Sequence, residues 1–170
     1  MDGGAMKERI ECDRFFIETL SMDELKQLFD GGGKLLPESV LTEEVKAAVS
    51  YKLAQMERLP QTAHPWVTYW RICRYADGSG MGLIGSKSLP DEGGYVELGY
   101  VMAKECQNRG YMTEAVTGFL DWLFARPFCN GARLFIRSKN FASLKTAEKS
   151  GFHYEGEEDG FLVYQYDFYC

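Results

Sequence analysis

Two hydrophobic periods meet in residues 94–124. Over 95–102, apolar residues alternate with more polar ones, and this period of two predicts a strand. Over 116–124, apolar residues recur at steps of three and four, which predicts an amphipathic helix. A short segment containing Gly110 connects the two patterns. We therefore expect a strand, a glycine turn and a helix, and we expect the rest of the chain to be arranged around them.

The same patterns along the chain predict the element order β-α-α-β-β-β-α-β-α-β-β. The strands are expected at 9–20, 66–75, 81–89, 95–102, 133–138, 152–155 and 161–169. The helices are expected at 22–29, 43–57 and 140–149 and, after the turn at 107–112, through 116–124. Ser21 with Glu24 forms a capping box for the first helix, which should end at the glycines 31–33. This order predicts a mixed sheet, antiparallel in its first half, with helices on both faces. A doubly wound dinucleotide-binding sheet would need helices between most of its strands.

The turn at 107–112 has the outline of a phosphate site. Gly110 removes a side chain where a backbone could approach a ligand closely. The free amides and the dipole at the start of the next helix favour an anion. No P-loop sequence is present, and the turn at 107–112 does not have the G-x-G-x-x-G spacing of a dinucleotide site. Taken alone, a glycine between a strand and a helix is more often a plain turn residue.

Four segments of the chain resemble one known family. Residues 107–112, QNRGYM, are similar to the acyl-CoA-binding motif [QR]-x-x-G-x-[GA] of the GNAT N-acetyltransferases, in which backbone amides hold the cofactor's pyrophosphate. Residues 140–144, NFASL, and 148–152, EKSGF, resemble that family's second signature. With 97–100, ELGY, the similarity is closest to the ribosomal-protein N-acetyltransferase (RimJ/RimL-like) branch.

The resemblance implies an α/β (α+β) fold of GNAT type, with a mixed, mostly antiparallel sheet. It also implies an acetyl-CoA-dependent N-acetyltransferase that transfers the acetyl group to a primary amine by direct attack in a ternary complex. The acceptor remains open among a protein N-terminus, a polyamine and another small amine. The alternative is a non-catalytic acyl-CoA-binding module, and Ala147 favours it because many family members carry a tyrosine at that position.

The resemblance also assigns residues to the cofactor. The implied cofactor-binding residues are Tyr100, Val101, Met102, Gln107, Asn108, Arg109, Gly110, Tyr111, Met112, Thr113, Asn140 and Ser143. In the family, the strand pairs its backbone with the pantetheine arm and the turn holds the phosphates. Met112 departs from the motif, which has Gly or Ala at that position. Asn140 is also explained as a plain helix N-cap, and Arg109 as an exposed surface arginine.

Glu97 and Ser143 are the candidate catalytic residues. An amine must lose its proton before it attacks, and we expect Glu97, buried among Tyr95 and Tyr100, to be the general base. Its alternative is a structural carboxylate on a half-exposed strand. Because Ala147 replaces the tyrosine, the leaving thiolate takes its proton from Ser143, from another tyrosine or from water, or it leaves unassisted.

The composition and the net charge limit the classes of partner that we expect for this protein. One domain over 1–170 is expected, with an unstructured leader at 1–8. The net charge of −6 argues against nucleic acid and anionic membranes and favours a small-molecule or peptide amine, which the acidic residues at 155–159 could attract. Five scattered cysteines and two isolated histidines predict neither a disulfide framework nor a metal site. No signal or spanning segment is evident, so we expect a cytoplasmic protein, monomeric or homodimeric.

Overall fold

The structure, a computed structural model, describes residues 7–31 and 34–169. The strands in these residues are β1 (Arg9–Glu11), β2 (Phe15–Thr19), β3 (Trp70–Arg74), β4 (Gly80–Ser86), β5 (Tyr95–Met102), β6 (Gly131–Ile136), β7 (His153–Glu158) and β8 (Phe161–Asp167). The α-helices are α1 (Met22–Gln27), α2 (Glu43–Arg58), α3 (His64–Val67), α4 (Tyr111–Phe124) and α5 (Phe141–Lys149). None of these helices combines the length and the apolar character that a membrane span requires.

The strands form one sheet in the order β1-β2-β3-β4-β5-β6-β8-β7. Every neighbouring pair in this order is antiparallel except β5 and β6, which run parallel and are joined through α4. The predicted fold class, a mixed and mostly antiparallel sheet with helices on both faces, is confirmed. The capping box of α1 is also present, with Ser21 and Glu24 bonded in both directions.

Two predicted strands are wrong in detail. The strand expected at 9–20 is the hairpin β1–β2, because the Cys12 amide donates to the Phe15 carbonyl at 2.9 Å and closes a turn. The strand expected at 66–75 begins only at Trp70. Before it lies α3, whose first turn contains Pro65, and proline has the backbone angle that a helix start needs.

Part of the predicted unstructured leader, 1–8, lies outside the residues that the structure describes. Residues 1–6 lie outside the described residues, as do positions 32 and 33 of the glycine segment. Residues 7 and 8, by contrast, are bonded to β2. The Glu8 amide donates to Thr19 Oγ1 at 3.1 Å, and Lys7 Nζ donates to the Thr19 carbonyl at 2.8 Å. The ordered chain therefore starts before position 9.

The strand register assigns side chains to two faces. Residues paired across neighbouring strands point to the same side of a sheet, so Trp70, Ile84 and Tyr100 share one face. The Trp70 ring packs edge-on against Phe119 of α4, with 5.4 Å between centroids. This is therefore the α4 face, and Glu97, an odd number of residues from Tyr100, points to the opposite face.

The sheet opens between β5 and β6. Their parallel pairing covers only Tyr95–Glu97 against Gly131–Arg133 in the described register. Beyond Glu97, β5 continues to Met102 with pairing to β4 alone. The divergence leaves one backbone edge of the second half of β5 facing a gap, next to the starts of α4 and α5. An exposed strand edge can pair with an extended ligand.

Candidate active site

A cavity of about 390 Å³ occupies this gap. Its walls come from the end of β5, the turn before α4, the first turn of α4, and α5. The lining residues are Tyr100, Val101, Met102, Cys106, Gln107, Asn108, Gly110, Tyr111, Met112, Thr113, Asn140, Ala142, Ser143, Lys145, Thr146 and Lys149. Eleven of the twelve residues that the sequence assigns to the cofactor lie in this lining, and Arg109 is the exception.

The glycine turn presents unpaired amides to the cavity. Gly110 has φ +75° and serves as the N-cap of α4, and Asn108 is also left-handed at φ +62°. The first helical hydrogen bond runs from the Glu114 amide to the Gly110 carbonyl at 3.2 Å. The amides of the three residues before Glu114 therefore have no helical acceptor. They face the cavity at the positive end of the helix dipole, which suits an anion such as a diphosphate.

Two hydroxyl groups meet at the other end of the cavity. The Tyr100 and Ser143 side-chain oxygens are 2.6 Å apart and hydrogen-bonded. Burial raises the pKa of Tyr100 above its ordinary value, and the hydrogen bond to Ser143 opposes that rise only in part. The tyrosine therefore keeps its proton at neutral and moderately basic pH. Ala147 is fully buried, so α5 has a methyl group where many family members have a phenol.

Several other predicted residues shape the walls. The Asn140 side chain accepts from the Ser143 amide at 3.2 Å, so it caps α5 as well as lining the cavity. Gln107 Nε2 donates to the Met102 carbonyl at 3.1 Å and ties the turn to the end of β5. Met112 is half-buried in the first turn of α4, where its side chain forms part of the wall. The Arg109 side chain is exposed and lies outside the lining.

Sequence analysis missed part of the lining. Lys145 and Lys149 project from α5 at a spacing of four, so both lie on one side of the helix and add positive charge. The polar residues at 145, 146 and 149 recur at helical spacing in the sequence. Cys106 also lines the cavity and was not assigned to the cofactor from the sequence. It is buried and its sulfur accepts from Arg74 Nη2 at 3.2 Å.

Glu97 lies elsewhere than expected. It is absent from the cavity lining and occupies the opposite face of the sheet. The expected burial among Tyr95 and Tyr100 is wrong, because one third of the side chain is exposed and its carboxylate pairs with Lys87. The Lys87 amide also donates to the Glu97 carbonyl at 2.9 Å, so the two residues are held side by side. Whether Glu97 acts as a base remains a prediction.

His153 is less isolated than the sequence suggests. Its ring nitrogen Nε2 lies 2.8 Å from Glu155 and 3.5 Å from Asp167. These three residues could bring ligand atoms within 4.8 Å of one another, on the exposed surface of β7 and β8. Asp167 already accepts from Tyr95 and from Gln165. Such exposed polar clusters are common on protein surfaces, and this one is separate from the cavity lining.

A second, larger cavity lies beside β2 and the starts of α1 and α3. It measures about 720 Å³ and is lined in part by Lys7, Glu24 and His64. Its walls contain no left-handed glycine turn, and the glutamate and aspartate side chains in the lining disfavour an anionic ligand. The smaller cavity is therefore the better candidate for a phosphate-bearing cofactor.

Comparisons with known proteins agree with this fold. Residues 14–153 match the family model described as the acetyltransferase (GNAT) domain. The uncharacterized N-acetyltransferase YjdG of Bacillus subtilis (strain 168) is 33% identical over 73 residues, which are 43% of this chain and 42% of that relative. The match thus spans less than half of that curated relative.

Two solved structures share the fold. Ribosomal-protein-S5-alanine acetyltransferase from Vibrio fischeri superposes with a TM-score of 0.68 at 18% identity, covering 94% of this chain and 96% of that chain. RimL, a ribosomal L7/L12 alpha-N-protein acetyltransferase solved in complex with coenzyme A, superposes with a TM-score of 0.68 at 16% identity, covering 94% and 98%. Since the family model covers most of the sequence, this chain belongs to the GNAT acetyltransferase family.

Proposed function

We propose that this protein is an acetyl-CoA-dependent N-acetyltransferase that acts on a primary amine by direct attack in a ternary complex. One observation supports the proposal above the others. A single cavity connects the Gly110 turn, suited to phosphate, with the hydroxyl pair of Tyr100 and Ser143. The two ends of the cavity match the two ends of an acyl-CoA, a diphosphate and a thioester.

The walls suit the cofactor along its length. The amides at the start of α4 would hold the pyrophosphate, and Lys145 and Lys149 would add charge attraction. The free edge of β5 between Leu98 and Met102 would pair with the amides of pantetheine, as an added strand pairs with a sheet edge. Holding the donor in this way removes much of the entropic barrier to a bimolecular reaction.

The chemistry needs a proton acceptor and a proton donor. Bound acetyl-CoA supplies a thioester carbonyl for the amine to attack, with coenzyme A as the leaving thiol. Ser143 would donate its hydroxyl proton toward the sulfur and take a proton from Tyr100 through their hydrogen bond. Tyr100 would then recover a proton from solvent. Glu97 would take the amine proton, directly or through water, from the other face of the open sheet. To act as a base, Glu97 would have to accept the amine proton while paired with Lys87 or after that ion pair breaks.

The acceptor proposed first is the α-amine of a protein N-terminus. The similar RimL and S5-alanine acetyltransferases are named for protein acceptors, and this supports the choice. Polyamines and other small amines come next. The exposed acidic turn between β7 and β8, with Glu157, Glu158 and Asp159, would attract any of these cations. We further propose a cytoplasmic location, where acetyl-CoA and such acceptors meet.

A non-catalytic acyl-CoA-binding module is the second candidate. Its supporting observation is the buried Ala147, which leaves α5 without the family's usual phenol. The Tyr100–Ser143 pair favours the enzyme, because it supplies a hydroxyl proton donor inside the same cavity. Thiol release from acetyl-CoA separates the candidates when it is measured across peptides with free N-termini, polyamines and the corresponding acetylated peptides. Binding with no turnover on any amine would support the module.

The phosphate site has its own test, with a matched control. Gly110→Ala puts a side chain at a left-handed position of the turn that is expected to hold the diphosphate. The resulting backbone strain should lower acetyl-CoA affinity about tenfold or more. Gly78→Ala imposes similar strain at φ +72° in a distant hairpin with open space around it, and its affinity should match the wild type. Calorimetric titration with acetyl-CoA measures both. Equal affinities for all three proteins would overturn the assignment of this turn.

A further inference from the structure

Arg14 contacts the phosphate turn from a distant part of the chain. It lies in the turn between β1 and β2, outside the cavity lining. Its Nη1 donates to the Arg109 carbonyl at 3.0 Å, one residue before Gly110. A Cβ added at Gly110 would lie 3.5 Å from Arg14 Nη2, so the guanidinium covers the outside of the glycine turn. The guanidinium also stacks on the Tyr111 ring, 4.4 Å from its centroid.

Arg14 is held there by Glu114. Its Nε donates to Glu114 Oε1 at 2.7 Å, and its backbone amide donates to Oε2 at 3.0 Å. Both carboxylate oxygens are thus occupied by one residue. The Glu114 side chain is 22% exposed and the Arg14 side chain 46%. This two-point contact fixes both side chains against the turn more firmly than a single surface ion pair would.

Glu114 is an unexpected residue at this site. A carboxylate in the first helical turn interacts favourably with the helix dipole. The same negative charge, however, opposes the binding of a diphosphate at the neighbouring amides. An acidic residue beside an anion site is tolerable when a cation neutralises it. Arg14 is the cation in contact with it.

We propose that Arg14 is a positioning residue for the acetyl donor, an inference that rests on the proposed function. It neutralises Glu114 and holds the Arg109 carbonyl, so that the turn accepts the cofactor's phosphates without electrostatic opposition. Arg14 acts through the turn and its neighbour and does not itself line the cavity. The effect therefore concerns ligands that carry the diphosphate.

A double-mutant cycle tests the proposal by calorimetry with acetyl-CoA at low salt. Arg14→Gln leaves Glu114 unpaired, and its affinity should fall about tenfold. Glu114→Gln removes the opposing charge, and its affinity should equal or exceed that of the wild type. The double variant should return to within about threefold of the wild type. Raising the salt concentration should shrink the loss in Arg14→Gln, because screening weakens the repulsion.

A second acetyl donor, S-acetylpantetheine, distinguishes an electrostatic effect of Arg14 from a general loss of structure in the variant. The KM for S-acetylpantetheine, which lacks the phosphates, should be the same in Arg14→Gln as in the wild type, and so should the KM for the amine. A double variant as weak as Arg14→Gln would overturn the proposal, as would an equal loss with S-acetylpantetheine. If Arg14→Gln does not fold, Glu114→Gln decides the question, because weaker binding of acetyl-CoA by that variant contradicts a charge-neutralising role. Failure of the wild type to bind acetyl-CoA at all would instead contradict the proposed function.

Discussion

The two ends of β5 place their chemical groups in opposite surroundings. At the carboxyl end, Tyr100 is largely buried, faces α4 and α5, and meets Ser143 inside a cavity. At the amino end, Glu97 faces the other side of the sheet, is one third exposed and pairs with Lys87. The parallel pairing with β6 includes Glu97 and does not extend beyond it. One strand therefore presents a hydroxyl group in the cavity on one face and a carboxylate on the other, on either side of the point where the sheet opens.

This difference assigns separate tasks to the two ends. Under the proposed function, groups at the carboxyl end would hold the acetyl donor and protonate its sulfur, whereas Glu97 would meet an amine that arrives from the opposite face. A defect at one end should thus change the kinetics of one substrate more than those of the other. The following variants test that separation.

The largest effect is expected at Glu97. Glu97→Gln keeps the shape of the side chain but removes its basicity, so kcat should fall about 10²–10⁴-fold with little change in acetyl-CoA affinity. Glu18→Gln on the distant strand β2 is the matched control and should keep wild-type kcat. Steady-state kinetics across pH would measure both, and the acidic limb of the rate profile should move or vanish in Glu97→Gln alone. A kcat within about threefold of the wild type, with that limb intact, would remove Glu97 as the base.

A buried lysine near the amino end should make stability depend on pH. Lys52 Nζ donates to the carbonyls of Ser86 at 3.0 Å and Val67 at 3.2 Å, next to Lys87. Burial, and secondarily the charge of Lys87, lowers the pKa of Lys52 from 10.5 to about 7. Between these values the unfolded chain binds a proton that the folded protein does not. The free energy of unfolding should therefore rise with pH over this window, by at most about 1.4 kcal/mol per pH unit.

Lys52→Met isolates this contribution. Urea unfolding at pH 7 and pH 9 should show a clearly smaller increase in stability for the variant than for the wild type, since methionine fills similar space without a charge. An identical increase in both proteins would mean that Lys52 keeps its proton at pH 9 in the folded protein. This test probes the buried lysine near the amino end of β5, where Glu97 lies, and it requires no substrate.

Tyr100→Phe should have the smallest of these effects. A thiolate leaves readily, so loss of the phenol should lower kcat only about tenfold and leave the amine KM unchanged. Ser143→Ala should cost a similar factor, and the double variant should be no worse than the poorer single variant if the two hydroxyls act as one unit. Tyr164→Phe on β8 serves as the matched control. Fully multiplicative losses in the double variant would show that the hydroxyls act independently.

The sequence predicted most of this arrangement because its strongest signals are local. The period of two in β5, the stripe of α4 and the left-handed Gly110 each depend on a few adjacent residues. The capping box at Ser21 and the cap at Asn140 are likewise short-range features. Together with the two signature motifs, they located eleven of the sixteen residues that line the cavity.

What the sequence did not predict depends on long-range contacts. Arg14 and Glu114 are 100 positions apart, and nothing in either local pattern indicates that they pair. The pairing of Glu97 with Lys87 depends on the register of β4 against β5, which the local pattern of the strand does not give. The aromatic run at 66–75 led to a strand prediction over residues that partly form the short helix α3. Aromatic residues do not distinguish the two cases, because they are as common in a tryptophan-rich core as in a strand.

A crystal structure with acetyl-CoA tests the central claim most directly. The account predicts the pyrophosphate within hydrogen-bonding distance of the amides at the start of α4, pantetheine along the free edge of β5, and the sulfur beside the hydroxyls of Tyr100 and Ser143. Cofactor density in the larger cavity beside α1 and α3, or no density at saturating acetyl-CoA, would contradict it.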